Sequence, residues 1–257
     1  MSVIERITKM AEELMKQEST ALAEASTPLG FEDDTMDDLI IPRIKIMQAL
    51  SPEVQDQKAR VGDIVNSLTI EKLNDKVFIP VCKFNNHVYW RDRSEGGGII
   101  CRAADGKIGQ MEDGSTKHCT QCRLCEFDNT KQGREALPKC TKYINFLGFF
   151  EDDMMPIILS FSKTNMAEGK KMYSMAKVSR QNIWNFGYRL VSKEKSKNGN
   201  RWYIIDPISN GQTSDEVRQV GMELYKQFAG TMSTVNYDMN ETPAATTVEI
   251  DSEESDF

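Results

Sequence analysis

The feature that most restricts the fold of this chain is a run of cysteines in a stretch with little hydrophobic core of its own. Five of the six cysteines lie in this stretch: Cys101, Cys119, Cys122, Cys125 and Cys140. The central three make two overlapping Cys-x-x-Cys steps, a spacing at which two thiolates converge on one tetrahedral Zn²⁺ ion. The residues between the cysteines include several turn formers and few apolar side chains, and a long loop without a core needs a cross-link. We therefore expect a structural zinc ion, for whose four ligand positions the five cysteines and the adjacent His118 compete.

A disulfide pair or a set of spare thiols is the alternative for these cysteines, and the choice depends on the compartment. No apolar run approaches the roughly 20 residues that span a bilayer. Residues 2–16 alternate charged and apolar side chains, which is not the pattern of a signal peptide. We therefore expect a soluble, cytoplasmic protein. Because the cytoplasm is reducing, this location favours a metal ion over disulfides.

The net charge of −7 conceals an uneven distribution along the chain. Residues 1–38 carry ten acidic and three basic side chains, and residues 231–257 carry seven acidic and no basic ones. The segment between them holds 29 Lys and Arg against 22 Asp and Glu. The overall acidity argues against a nucleic-acid partner, but the basic segment is compatible with one.

The charge and hydrophobic patterns divide the chain into three parts. Residues 1–38 combine an amphipathic helix, predicted over 3–25, with an acidic linker. That helix is expected either to dock on a partner or a second copy, or to pack on its own domain. Residues 39–230 form the body. Residues 231–257 have too few apolar side chains to bury a core, which indicates a disordered acidic tail.

The body has the pattern of a mainly β domain with accessory helices. Period-2 patterns predict short strands at about 39–46, 77–81, 88–91, 143–150, 156–161, 184–190 and 201–205. Turns are predicted at Asn85-Asn86 and Asn198-Gly199, and helices over 162–178 and 214–228. This order of elements suggests an α+β fold built on a small closed β-barrel of the oligonucleotide-binding (OB) type. The cysteine loop, at about 101–140, would be inserted between two of its strands.

Aromatic and basic residues interleave in three of the predicted strands. Surfaces of this kind bind single-stranded nucleic acid, because bases stack on exposed rings while Lys and Arg follow the phosphates. About half of the rings are expected to pack in the core, since one face of an alternating strand is buried. The candidate DNA-binding residues are Tyr89, Trp90, Arg91, Arg93, Trp184, Tyr188, Arg189, Lys193, Lys195, Lys197, Arg201 and Trp202.

The tail ends in an acidic segment with a single C-terminal aromatic residue. A ring next to a free carboxylate can be held by a partner in an apolar pocket beside a basic side chain. A purely solubilising tail would explain the charge but not the terminal Phe. The candidate partner-binding residues are Asp251, Glu253, Glu254, Asp256 and Phe257.

Several short motifs accompany this tail. They are IPRI at 41–44, GG at 97–98, CRAADG at 101–106, CTQC at 119–122, PKC at 138–140, PIILSF at 156–161 and DSEESDF at 251–257. In this combination the chain resembles the single-stranded DNA-binding proteins of tailed bacteriophages. The resemblance implies an OB-type barrel with an inserted zinc loop, located in the host cytoplasm. It also implies Cys101, Cys119, Cys122 and Cys140 as the zinc ligands, with Cys125 or His118 as alternatives.

The function implied by this resemblance is to bind and protect single-stranded DNA, without sequence specificity, during phage DNA replication and recombination. The tail would recruit replication and recombination enzymes, and homo-oligomers are possible. An enzyme is not expected, because Gly96-Gly97-Gly98 lacks the rest of a phosphate-binding loop and no carboxylates converge as in a metal nuclease. The alternatives are a zinc-containing transcription accessory factor that contacts RNA polymerase, and a strand-annealing recombination protein.

Overall fold

A computed structural model describes residues 40–132 and 136–230, and the strands of this part form one ten-stranded sheet. The strands are β1 (Arg43–Ile46), β2 (Ile64–Asn66), β3 (Val77–Trp90), β4 (Ile99–Ala103), β5 (Ile108–Met111), β6 (Thr116–His118), β7 (Cys140–Phe150), β8 (Ile157–Ser162), β9 (Phe186–Lys197) and β10 (Asn200–Gln212). The helices are α1 (Pro52–Gln55), α2 (Met166–Val178) and α3 (Asp215–Phe228). The predicted N-terminal helix, the acidic linker up to residue 38 and the tail from residue 231 lie outside the described residues.

The sheet is open. Its main path runs β2-β1-β8-β7-β3-β4-β5-β6, and β9 joins it by pairing with the start of β3 while β10 pairs only with β9. Among the described strands only the β1–β8 pair is parallel. The prediction of a mainly β fold with accessory helices is confirmed. The closed OB-type barrel is not confirmed, because the path ends on β2 and β6 without joining them.

One long strand, β3, forms the middle of this sheet. Its 14 residues pair with β7 over nearly their whole length, where the sequence predicted two short strands and a turn at Asn85-Asn86. The turn is absent because hydrogen bonds across the sheet satisfy the amide of Asn86. Asn145 Nδ2 donates to Asn86 Oδ1 at 2.8 Å, and Ser160 Oγ donates to Asn145 Oδ1 at 2.7 Å.

Helices cover both faces of the sheet around the N-terminal half of β3. Alternate residues of β7 enter two separate hydrophobic clusters: Phe146 packs with Met172 of α2, and Leu147 packs in the cluster that contains Val217 of α3. Both faces are therefore buried here, and the strands read as continuous apolar runs. The helices predicted over 162–178 and 214–228 and the β7–β8 hairpin are confirmed, although α2 begins at Met166, after a short 3₁₀ turn. No helix in residues 40–132 and 136–230 has the length and apolarity needed to cross a bilayer.

Strands β9 and β10 form a long two-stranded ribbon. Its tip is the predicted Asn198-Gly199 turn, in which both residues have positive φ (50° and 77°), as a type I′ hairpin requires. The free edge of β10 is held by Gln48, whose Nε2 donates to the carbonyl of Tyr203 at 2.8 Å and whose Oε1 accepts from the Tyr203 amide at 3.0 Å. The ribbon is therefore anchored to the body along its length and not only at its base.

Candidate metal centre and nucleic-acid interface

Five cysteines and one histidine line a small cavity at the C-terminal end of β3. The cavity has a volume of about 20 Å³, which is room for about one water-sized atom. The thiols and the imidazole come from Cys101, Cys119, Cys122, Cys125, Cys140 and His87, and the lining also includes Met111 and Lys117. All of these cysteines are free thiols. The fold thus brings together the whole cysteine run that is spread over 40 residues of sequence.

The sheet register places two of these thiols on either side of Tyr89. Tyr89 of β3 is opposite Cys101 of β4 on one side and opposite Cys140 of β7 on the other, so all three side chains lie on one face. Gly109 of β5 leaves room for the first sulfur, since a Cβ at this position would lie 2.6 Å from Cys101 Sγ. A larger side chain at position 109 would therefore displace this thiol.

The other three thiols come from two consecutive 3₁₀ turns, Cys119–Gln121 and Arg123–Cys125. The amide of Cys122 donates to the carbonyl of Cys119, and the amide of Cys125 donates to the carbonyl of Cys122, both at 3.3 Å. Cys122 links the two turns in an extended conformation (φ −94°, ψ 108°). All three of these thiols line the cavity.

Burial and mutual proximity raise the pKa of three of these thiols, those of Cys101, Cys119 and Cys140. Burial is the main cause that raises the pKa of Cys140, followed by a hydrogen bond with Cys125 and by the charge of that thiol. Burial also raises the pKa of Cys101 and of Cys119, and the neighbouring thiols add to the effect. A cation in the cavity would reverse this balance, because it stabilises thiolates.

His87 belongs to this cavity, and the sequence analysis missed it. Its Nδ1 lies 3.9 Å from Cys125 Sγ, and burial lowers the pKa of the ring, so the imidazole is neutral. The sequence signal for His87 was its position two residues before Tyr89, which places both side chains on the same face of one strand. His118, which the sequence did single out, is exposed on β6 opposite Ile108 and does not line the cavity.

The thiols and the volume of the cavity suit one zinc ion, but the side chains do not converge on a common point as ligands. No group of three or more His, Cys, Asp and Glu in residues 40–132 and 136–230 is arranged around a common point as a metal requires. Small movements of the thiols would be needed to bind an ion.

A second candidate site is one face of the β9–β10 ribbon, which we call the lysine face. It consists of Lys193, Lys195 and Lys197, which alternate along β9, of Arg189, which lies on the same face beyond Val191, and of Trp202, which lies directly opposite Lys195. Three of the four cations are exposed, and Lys195 is half-buried. In the described part of the chain the ion pairs of the ribbon involve Lys193 and Arg201, but neither Lys195 nor Lys197.

Carboxylates are few on this face. Asp206 is the nearest one in β10, and it accepts Lys171 at 3.0 Å as well as Lys193 at 3.7 Å. Glu194 points to the opposite face, where it accepts the hydroxyl of Tyr203 at 2.9 Å and lies 3.7 Å from Arg201. The lysine face therefore keeps an excess of positive charge. On it, Trp202 is half-buried, and its Nε1 has no hydrogen-bond partner among the described residues.

The remaining predicted DNA-binding residues are scattered. Trp184 and Tyr188 are 9% and 1% exposed and belong to the core, so neither ring is free to stack on a base. Tyr89 lines the cysteine cavity. Arg91 makes an ion pair with Glu112. Two further candidates follow in the same region: Trp90 is half-buried at the end of β3, and Arg93 lies in the short 3₁₀ helix Arg93–Glu95.

Comparison with known proteins gives one match. A family model described as "Pam3 phage gp34-like protein" matches residues 11–234 of the chain, which includes the cysteine cavity and the ribbon. Searches of curated proteins and of solved structures find no match.

Proposed function

This chain belongs to the Pam3 phage gp34-like family of phage proteins, and from that premise we propose that it binds single-stranded DNA without sequence specificity during phage DNA replication or recombination. The observation that carries the proposal is the lysine face of the ribbon. Alternate residues of a strand recur about every 6.6–6.8 Å. The face therefore offers a regular row of cations that a flexible phosphate chain can follow.

Trp202 adds the second element of such a surface. It lies beside the lysine row on the neighbouring strand β10, directly opposite Lys195, so a base that stacks on the ring has a cation beside its phosphate. Stacking of one base on an aromatic side chain typically contributes about 1–3 kcal/mol and does not depend on the identity of the base. This mode of binding needs a cationic strand surface but not a closed barrel.

The cysteine cavity has a structural role in this proposal. A zinc ion bound by Cys101, Cys140 and two thiols of the 3₁₀ turns would tie the β4–β6 arm and the turns to the end of β3. The ion supplies no reaction here; it replaces the hydrophobic core that the arm lacks. The acidic tail, with Asp251, Glu253, Glu254, Asp256 and Phe257, would contact replication and recombination enzymes.

A titration with two DNA forms tests the DNA-binding part. A fluorescein-labelled single-stranded oligonucleotide and its duplex of equal length are titrated with the full chain at several salt concentrations, and fluorescence anisotropy is followed. We expect tighter binding of the single strand, with an affinity that falls as salt rises because phosphate contacts release counterions. Absence of binding to either DNA, or equal binding of the duplex, would refute the proposal.

A further inference from the structure

We propose that helix α2 carries a second phosphate-binding site for single-stranded DNA, formed by Lys83 and Lys177 together with the ring of Tyr173. Lys83 lies in β3, and the other two residues lie in α2. The proposal rests on the DNA binding of the proposed function, and it extends the path of the strand beyond the lysine face.

Tyr173 is the centre of this site. Lys83 Nζ lies 4.9 Å and Lys177 Nζ lies 5.5 Å from the centroid of its ring, which is the range of a cation–π interaction. Lys83 Nζ also donates to Asn85 Oδ1 at 3.0 Å. The ring and the amide hold the ammonium groups in place, but both partners are neutral and leave the charges uncompensated.

No carboxylate balances these two charges in the described part of the chain. Neither Lys83 nor Lys177 takes part in an ion pair there, and Glu168, the one acidic residue of α2, lies 3.7 Å from Lys171. Two ammonium groups near one ring repel each other. A phosphate group that contacts both relieves this repulsion and accepts two charge-assisted hydrogen bonds.

The exposed side of α2 gives a strand access to the site. Lys170, Tyr173 and Lys177 are spaced three and four residues apart, so they lie along one stripe of the helix. Lys170 and Lys177 are exposed, and Tyr173 is half-buried. Two cations therefore flank the ring on the surface of the helix.

The lysine face meets α2 at Asp206. This carboxylate accepts Lys193 of the lysine face at 3.7 Å and Lys171 of α2 at 3.0 Å. Lys170, the neighbour of Lys171 in the sequence, already belongs to the stripe of the second site. A strand that leaves the lysine face at Lys193 therefore reaches the second site by crossing α2.

Strand length separates this site from the lysine face. Labelled oligothymidylates of about 5 and about 30 nucleotides are titrated with the full chain at several salt concentrations, because single-strand-binding domains of the OB type cover about 4–16 nucleotides. The short strand is held by the lysine face alone, whereas the long strand reaches both sites.

Lys83→Gln combined with Lys177→Gln removes both charges and keeps polar side chains. With the long strand we expect the magnitude of the slope of log K against log salt to fall by about 1.4, because each phosphate contact contributes about 0.7. This change corresponds to about 25-fold weaker binding at roughly 0.1 M salt. With the short strand we expect wild-type binding. Lys177→Gln alone, at an exposed position where folding is not at risk, should show half of the change in slope.

Two controls accompany this variant. Lys58→Gln combined with Lys226→Gln removes two exposed cations elsewhere and should keep the wild-type slope with both strands. Tyr173 is a positioning residue for the two ammonium groups. Tyr173→Phe should therefore bind the long strand as wild type does, since it keeps the ring, whereas Tyr173→Leu should bind it more weakly.

An unchanged slope with the long strand in the Lys83 and Lys177 variant, or equal losses with both strands, would overturn the second site. Full long-strand affinity in Tyr173→Leu would also contradict it. If the wild-type chain binds DNA and only substitutions in the lysine face weaken this binding, the second site alone is refuted. If the wild-type chain binds neither strand, the proposed function is refuted and the second site with it.

Discussion

Replacing Lys195 and Lys197 by glutamine removes two positive charges from the lysine face and keeps the length of both side chains. Neither lysine is held by a carboxylate in the described part of the chain, whereas Lys193 shares Asp206 with Lys171. No carboxylate in the described part of the chain therefore competes with phosphates for Lys195 or Lys197. Both residues pair with β10 through their backbones, opposite Trp202 and Asn200, so the ribbon itself should be unaffected.

The expected loss follows from counterion release. Each phosphate contact with single-stranded DNA contributes about 0.7 to the slope of log K against log salt. Two lost contacts should reduce the magnitude of this slope by about 1.4, which corresponds to about 25-fold weaker binding at roughly 0.1 M salt and to almost no difference near 1 M. The assay is the anisotropy titration of the labelled single strand at five or more salt concentrations.

A control variant with the same net charge separates a local contact from a general charge effect. Lys58→Gln combined with Lys226→Gln removes two exposed cations outside the ribbon. This control should keep the wild-type salt slope. The reasoning is refuted if the ribbon variant keeps the wild-type slope, or if the control loses as much as the ribbon variant does.

Two further predictions concern single side chains. Trp202→Ala should weaken single-strand binding by about 1–3 kcal/mol with an unchanged salt slope, because stacking is lost and charge is not. Trp202→Phe should recover much of this binding free energy. Equal affinity of wild type, Trp202→Ala and Trp202→Phe in the same titration would exclude stacking. Burial raises the pKa of Cys82 to about 11, above the roughly 8.5 of a thiol in the unfolded chain. Above about pH 8.5 the unfolded chain releases a proton that the folded chain keeps, and this release favours the unfolded chain. The contribution of Cys82 to the free energy of unfolding is therefore complete below about pH 8.5 and is lost as pH rises toward 11. Urea unfolding at a series of pH values should therefore show a smaller decline between pH 8.5 and 11 in Cys82→Ala than in wild type, and identical declines would contradict the assignment.

Elements with strong local signals were predictable from the sequence. The Asn198-Gly199 turn has a conformation that these two residues favour locally, and the hairpin of β7 and β8 follows from two apolar runs around an acidic turn. The convergence of the cysteines on one cavity was also predictable, because Cys-x-x-Cys spacing is typical of thiols that share one site. The ligand set, the DNA contacts and the function of the tail stay predictions.

Features decided by tertiary contacts were not predictable. Asn85-Asn86 resembles a turn until Asn145 supplies the hydrogen bond across the sheet. Trp184 and Tyr188 look like stacking platforms because the sequence does not reveal that helices cover both faces of the sheet around them. The three short strands β4, β5 and β6 lie at the start of the cysteine loop, and their sequences lack a period-2 pattern of apolar residues.

The buried amides of Asn86 and Asn145 also decide how the strands are aligned. If β7 slipped by one residue along β3, every side chain of β7 would turn to the opposite face. Asn145 would then leave both Asn86 and Ser160, and each buried polar group left without a partner would cost about 1–3 kcal/mol. The same slip would turn Cys140 away from Cys101. The alignment that lets two distant cysteines share a cavity is thus specified by neutral amides several residues away, before any sulfur takes part.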